Sequence, residues 1–330
     1  MTTLSGKNII VTGGAGFIGS TLVDRLCTNN KILVVDNMHT GSIGNLSKAM
    51  KSGNVTLKRS SSADISKPRF DADIVYHLGM YSSTPMYKKD PRLLGKVASD
   101  MINVLEYVRE HRVPLVFAST SSIYNGVKPP HREDAQYKVT DYYTEGRIFA
   151  ERASELYGLL YDSDIAAMRF FSVYGPKERA KREYANLISQ FMWLMEKGHR
   201  PVIYGDGTQK RDFIHVDDVV EALVRAHAVK GFKVYNVGTG SSHTVNSMVG
   251  VLNEKLGTAI KPKYIKMPIS NYVRETLADT SKAKRELGFS ARIPLDKGIS
   301  MLTGSKSAGR RQGDPNSHTL LKRTTKPIIT

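Results

Sequence analysis

Residues 8–19 read Asn8-Ile9-Ile10-Val11-Thr12-Gly13-Gly14-Ala15-Gly16-Phe17-Ile18-Gly19, and this stretch decides the fold. A β-branched apolar run ends in a glycine-rich turn, and an amphipathic stretch, Phe17 to Cys27, follows at once. Strand, tight turn and helix in that order suit a dinucleotide, whose pyrophosphate sits on the bare N–H groups of a helix N-terminus. Gly13 allows the turn, Gly16 lets the backbone approach the phosphates, and Gly19 lets the helix pack closely on the strand. A glycine triplet alone is as readily a plain connection. Here a second run, Lys31-Ile32-Leu33-Val34-Val35, ends in Asp36. A carboxylate about 20 residues past the glycines is placed to accept from the adenosine ribose hydroxyls. It repels the extra phosphate of NADP, so NAD is the expected cofactor.

Strand-like and helix-like patterns alternate outward from this turn. Candidate strands are Asn8–Thr12, Ile32–Asp36, Val55–Lys58, Ile74–Leu78, Leu115–Ser119 and Ile165–Phe170, with helices at Leu93–His111 and Tyr142–Tyr161. The alternation predicts an α/β fold, a Rossmann-type doubly wound parallel sheet of about seven strands with helices on both faces. The second half is less regular. It offers helices near Tyr184–Lys197, Asp217–Lys230, Val245–Leu256 and Ser281–Leu287, and strands at Val202–Tyr204 and Val234–Val237. Residues 1–171 are read as an NAD-binding domain and 172–302 as a smaller α/β substrate lobe that returns some chain to the first body. The stretch 303–330 is read as a loosely ordered basic tail, with six Lys or Arg against Asp314 alone.

The 330 residues can bury a large core. One cysteine, Cys27, excludes an internal disulfide and fits a reducing compartment. No apolar run reaches the ~20 residues that span a bilayer, and no signal peptide precedes the first strand, so a cytoplasmic location without membrane attachment is expected. The net charge of +17 raises nucleic acid as a partner. Its cations are scattered, however, and basic charge equally suits a doubly anionic nucleotide-sugar, so nucleic acid is disfavoured.

Strand Leu115-Val116-Phe117-Ala118-Ser119 runs into Thr120-Ser121-Ser122-Ile123-Tyr124, and Asp141-Tyr142-Tyr143-Thr144-Glu145-Gly146-Arg147 follows downstream. With these the chain resembles the extended short-chain dehydrogenase/reductase family, in particular its NAD-dependent nucleotide-sugar 4-epimerases. The resemblance covers residues 6 to about 302. It rests also on His77-Leu78-Gly79, on Arg169-Phe170-Phe171-Ser172-Val173-Tyr174-Gly175-Pro176 and on Tyr204-Gly205-Asp206-Gly207-Thr208-Gln209-Lys210-Arg211-Asp212. Tyr235-Asn236-Val237-Gly238 and Ala278-Asp279-Thr280-Ser281-Lys282-Ala283 close the series.

The resemblance implies a tyrosine and a lysine four residues apart on one helix. The lysine holds the nicotinamide ribose and favours the phenolate, and the tyrosine is general base on a sugar hydroxyl. Tyr143 matches the base, but Arg147 stands at the lysine position. Arginine keeps the charge in a bulkier, fixed fork and is read as a surrogate. Thr120 matches the hydroxyl on the reacting oxygen. Relatives that eliminate water place an Asp–Glu pair next, where this chain has Ser121 and Ser122, and related decarboxylases carry Glu where Ser122 stands. Dehydration and decarboxylation are therefore disfavoured.

By the same resemblance Phe17, Ile18, Asn37, Leu78 and Gly79 meet the cofactor, and Asp64 and Ile65 the adenine. Ser82, Ser121, Ser172, Asn186, Leu187 and Tyr204 would meet the substrate, together with Thr120 and Tyr143. Arg211 would clamp its diphosphate, with Arg274 a weaker second clamp. Thr276 would bound the space at the sugar's C2. No metal site is expected. The implied reaction is NAD-dependent C4 epimerisation of a UDP-hexose through a 4-keto sugar, by a homodimer paired through the helices at Leu93–His111 and Tyr142–Tyr161. The alternatives are a nucleotide-sugar oxidoreductase or dehydratase, or a non-catalytic NAD- or RNA-binding relative.

Overall fold

The computed structural model describes residues 4–139, 141–267 and 273–307. Uninterrupted aliphatic runs make strands covered on both faces, and charged amphipathic stretches between them make the covering helices. In chain order the first half runs β1 (Asn8–Thr12), α1 (Phe17–Leu26), β2 (Lys31–Val35), α2 (Ile43–Met50), β3 (Val55–Lys58) and β4 (Ile74–His77). It continues with α3 (Thr84–Lys89), α4 (Leu93–His111), β5 (Leu115–Thr120), α5 (Tyr142–Tyr161) and β6 (Ile165–Phe170). The second half runs β7 (Ser172–Tyr174), α6 (Leu187–Met195), β8 (Val202–Tyr204), β9 (Lys210–Arg211), β10 (Phe213–His215) and α7 (Val216–Arg225). Then come β11 (Phe232–Val237), β12 (His243–Thr244), α8 (Val245–Leu256), β13 (Lys263–Ile265), α9 (Ser281–Leu287) and α10 (Leu295–Ser307).

Seven strands form one parallel sheet in the order β11-β6-β5-β4-β1-β2-β3. Strand order reverses between β1 and β4, and the crevice at the carboxyl ends of such strands is where ligands of this fold bind. Register places Thr12 opposite both Val35 and His77, so β1, β2 and β4 end side by side at that crevice. Alternate residues feed two cores. Ile9, Val11, Val34 and Tyr76 pack with α1, α2 and α7, while Ile10, Leu33, Val35 and Phe117 pack with α3, α4 and α5. A third core, around Tyr174, Phe191, Ile203, Phe213, Met248 and Ile299, holds the lobe together. Its strands pair only as short ladders, β10 with β7, β12 with β9 and β13 with β8.

The expected strands and long helices are present, several to the residue and others with ends shifted by a residue or two. Two second-half helices are shorter than expected. Asn186 caps α6 by accepting from the Ile188 N–H, so Tyr184 belongs to a separate turn-like segment, Glu178–Tyr184. Helix α7 stops at Arg225, and one tight helical turn, Ala226–Ala228, follows. Helices α2, α3 and α10 were not anticipated. The last runs to Ser307, and the remainder of the expected tail, 308–330, lies outside the described residues. Among the described residues no helix is long and apolar enough to cross a membrane.

Candidate active site

The glycine turn is shaped by close approach. Gly13 has φ +69°, and a Cβ there would stand 2.6 Å from the backbone of Gly79 on the neighbouring strand end. A Cβ on Gly19 would fall 2.1 Å from the Gly13 carbonyl oxygen. Gly16 is different: a Cβ would meet only that same oxygen, at 3.1 Å. Room for a bare backbone there serves something approaching from the cavity. Helix α1 opens at Gly16 with no side-chain cap and no acidic residue in its first turn. Its leading N–H groups and positive end thus remain for an anion. Asp36 is buried just past β2. Its carboxylate accepts from the Ala15 N–H at 2.9 Å and the Met38 N–H at 2.7 Å. Burial raises its pKa above the ordinary carboxylate value, and these N–H bonds oppose the rise. Each oxygen keeps a lone pair for a ribose hydroxyl. The cradle therefore fits a dinucleotide.

Across the crevice, Asp141 caps α5 by accepting from the Thr144 N–H at 3.0 Å. This starts the helix so that Tyr143 and Arg147, one turn apart, share the face turned to the cavity. Tyr143 packs edge-on against Tyr87, ring centroids 5.7 Å apart. The Arg147 guanidinium carbon lies 5.0 Å from the Tyr143 ring centroid, and its Nη2 donates to the Tyr81 carbonyl at 2.7 Å. Arg147 is 3 % exposed, yet its Nε and Nη1 have no partner within the protein. Buried donors left unpaired are costly. Two on one guanidinium beside the cavity match the hydroxyls of a nicotinamide ribose. His77 lies deeper, its Nδ1 paired with the Thr12 hydroxyl at 2.7 Å. Burial first, and the Arg147 charge second, press its pKa down to about 3, so it is a neutral ring.

A buried network fixes α5 against the sheet. Arg169 on β6 grips Glu151 on α5 through two bonds, of 2.9 and 2.7 Å, and donates to the Tyr124 hydroxyl at 2.7 Å. Ser119 on β5 donates to Glu151, and Tyr124 donates to Asn236 on β11 at 2.7 Å. Three strands and the helix carrying Tyr143 are thereby held in one register. Thr120 ends β5 at the cavity, its hydroxyl oxygen accepting from the Ser122 N–H at 3.1 Å.

The cavity, about 310 Å³, gathers most of the residues expected from the sequence. Gly13, Gly16, Phe17, Ile18, Gly19, Asp36, Asn37, Leu78 and Gly79 line one side. Ser82, Thr120, Ser121, Tyr143, Arg147, Ser172, Asn186, Leu187, Arg211 and Thr276 line the rest. Arg211 is buried on β9 and donates to the Lys210 carbonyl at 2.8 Å. The Thr276 hydroxyl accepts from the Asp212 N–H at 3.1 Å and keeps its own hydrogen to donate.

Four expected residues lie off this wall. Ile65 is buried in the sheet core, and Asp64 is paired with Lys67 at 2.6 Å. Ser62, on the same helical turn, reaches the cavity instead. Tyr204 sits half-buried on β8, and Arg274 is exposed. His39, Tyr81, Lys181, Tyr184 and Val273 line the wall without having been anticipated. For Lys181 a signal existed: the run of basic residues just after Gly175-Pro176. Among the described residues Asp36 is the only carboxylate on the wall, and no group of residues could hold a metal ion.

Comparison with known proteins agrees with this geometry. Residues 9–238 match the family described as "NAD dependent epimerase/dehydratase family". A UDP-glucose 4-epimerase of Mycolicibacterium smegmatis is 30% identical over 301 residues, 88% of this chain and 95% of that protein. UDP-glucuronic acid decarboxylase 6 of Arabidopsis thaliana is also 30% identical, over 90% of this chain and 88% of its own. The solved structure of a UDP-N-acetylglucosamine 4-epimerase from Methanobrevibacter ruminantium M1, in complex with UDP-N-acetylmuramic acid, superposes with a TM-score of 0.87 at 28% identity. It covers 93% of this chain and 100% of that one.

Proposed function

The chain belongs to the NAD dependent epimerase/dehydratase family, and from that premise we propose that it inverts C4 of a UDP-hexose. The observation that carries this reading is that, among the described residues, no carboxylate lines the cavity wall around Tyr143. Asp36, at the far end of β2, is the only acid on the wall among the described residues, and Ser121 and Ser122 stand where eliminating relatives have acids. Loss of water or of CO₂ finds no acid–base pair here. Removal and return of hydrogen at one carbon needs only a base and a cofactor.

Tyr143 takes the proton from the 4-hydroxyl, and the Thr120 hydroxyl bonds the same oxygen. Arg147 places a permanent positive charge beside the phenol and offers its two unpaired donors to the nicotinamide ribose. Bound NAD would supply the hydride chemistry at C4, while the residues named here hold it and move the proton. Arg211 holds the substrate diphosphate, since a forked guanidinium matches phosphate oxygens. Thr276 is short, and its free hydroxyl hydrogen suits an acetamido carbonyl, so both plain and N-acetylated hexoses are substrates.

We assign the active form as a homodimer joined through α4 and α5. Support comes from the apolar side chains α5 exposes: Tyr142, Leu156, Leu159 and Leu160, with Ile102 on α4. The test of function is incubation with UDP-glucose, UDP-N-acetylglucosamine and UDP-glucuronate. C4 epimers formed without net NADH are expected. Release of CO₂, a deoxy sugar or stoichiometric NADH would overturn the reading.

A further inference from the structure

The segment after Pro176 carries four cations in six residues: Lys177, Arg179, Lys181 and Arg182. Two of them face the cofactor half. Lys177 has left-handed backbone (φ +71°), and this turns its ammonium onto α1 and α2. It pairs with Asp24 at 2.7 Å and donates to the Ser20 carbonyl at 3.2 Å and the Asn45 carbonyl at 2.8 Å. Three donors meet three acceptors, so Lys177 is fully committed. It buckles a piece of the substrate lobe to the cofactor-binding helix.

One turn further on, Lys181 lines the cavity, its ammonium 5.7 Å from the ring centroid of Phe17, the first residue of α1. Its ion-pair partner is Glu178, at 3.6 Å. That buried carboxylate already accepts from the Asn186 N–H at 3.0 Å and from the Ser189 hydroxyl. Glu178 steadies Lys181 from beneath without using up its donors. The lining arginines come from other elements, Arg147 from α5, bonded through one nitrogen to the Tyr81 carbonyl, and Arg211 from β9, bonded to the Lys210 carbonyl. Lys181 is the one that stands over the start of α1. There the helix is uncapped and lacks acidic side chains, so positive helix end and ammonium face the same space.

The helix start and the Lys181 ammonium line one cavity whose only carboxylate among the described residues is Asp36, an arrangement that suits a polyanion. We propose that Lys181 is a direct ligand of the cofactor diphosphate, supplied across the crevice by the substrate lobe, and that Lys177 is the positioning residue that holds it there. The cofactor is then gripped from both halves of the molecule. This rests on the family's cofactor and is independent of which sugar is turned over.

The test is titration calorimetry without any sugar, using NAD, ADP-ribose, adenosine and UDP as separate ligands. Lys181→Gln is expected to weaken NAD and ADP-ribose about tenfold or more, with adenosine and UDP changed less than about twofold. Lys181→Arg should restore most of the loss. Lys177→Gln should weaken NAD in the same direction by less, with adenosine again spared. Unchanged NAD and ADP-ribose binding by Lys181→Gln overturns the proposal. So does a loss confined to UDP, which would make Lys181 a substrate ligand, or an equal loss for adenosine, which would mean a general disturbance of the site.

Discussion

Helix α1 turns bare N–H groups to the cavity behind three glycines, whereas the opposite wall presents Arg211, Asn186 and Thr276 from short ladders and loop ends. On the first side recognition lies in the backbone. A Cβ on Gly13 or Gly19 would stand 2.6 or 2.1 Å from neighbouring backbone, so neither position takes a side chain without a shift, and a continuous parallel sheet lies behind them. On the second side recognition lies in side-chain reach. The lesson is that one wall has no room for a side chain at Gly13 and Gly19, while the other presents its polar groups on side chains. Tyr143 and Arg147 sit on the seam, on a helix of the first half facing both.

Replacing Tyr143 by Phe should have the largest effect. Loss of a general base typically costs ~10²–10⁴-fold in turnover, with NAD affinity kept. A parallel loss of NAD binding in a calorimetric titration would erase the distinction between seam and cradle. Gly19→Ala comes next. Its Cβ would press on the Gly13 carbonyl, so NAD affinity should fall by about 10²-fold and thermal stability with it, since strain of this kind costs a few kcal/mol. UDP affinity, read separately, should hold. If UDP binding collapses equally, the halves are not independent.

Arg147→Met should reduce both NAD affinity and turnover by roughly tenfold or more, because a buried charged hydrogen-bond donor is lost. Arg147→Lys should retain activity. A Met variant as active as the parent would remove Arg147 from the site's chemistry. The smallest effect belongs to the lobe. Thr276→Tyr should lower turnover of UDP-N-acetylglucosamine about tenfold more than that of UDP-glucose, the usual scale of steric discrimination. Equal losses on the two sugars would show that Thr276 does not bound the C2 substituent.

The same contrast explains what could be read from sequence. Strands β1, β3 and β6, and helices α4 and α5, match their expected limits to the residue; apolar runs mark β1 and β6, alternation marks β3, and Asp141 caps α5. The glycines and Asp36 reach the cavity because backbone geometry ties them to it. Strands β9 and β12 are two residues long, too short for any periodicity. Lys181 enters the site only because Lys177 and Glu178 turn its segment inward, a tertiary effect. Asp64, expected at the adenine, is instead drawn to Lys67 on its own turn, a partner three residues away that spacing alone does not rank.

The Arg169–Glu151 pair has a further consequence, for how this chain can change over time. Both side chains are almost fully enclosed. Removing either partner strands the other charge in the interior, at a cost of about 3–5 kcal/mol, much of a typical protein's whole margin of 5–15 kcal/mol. Replacing both by apolar groups can be nearly neutral. Any lineage leaving this arrangement must therefore cross a deep valley or make both substitutions at once. Ser119 and Tyr124, bonded to the pair, would have to find new partners in the same move. The alignment of α5 on the sheet is thus protected by the poor viability of its single-step neighbours, a constraint that does not reach Thr276, which lies outside that network.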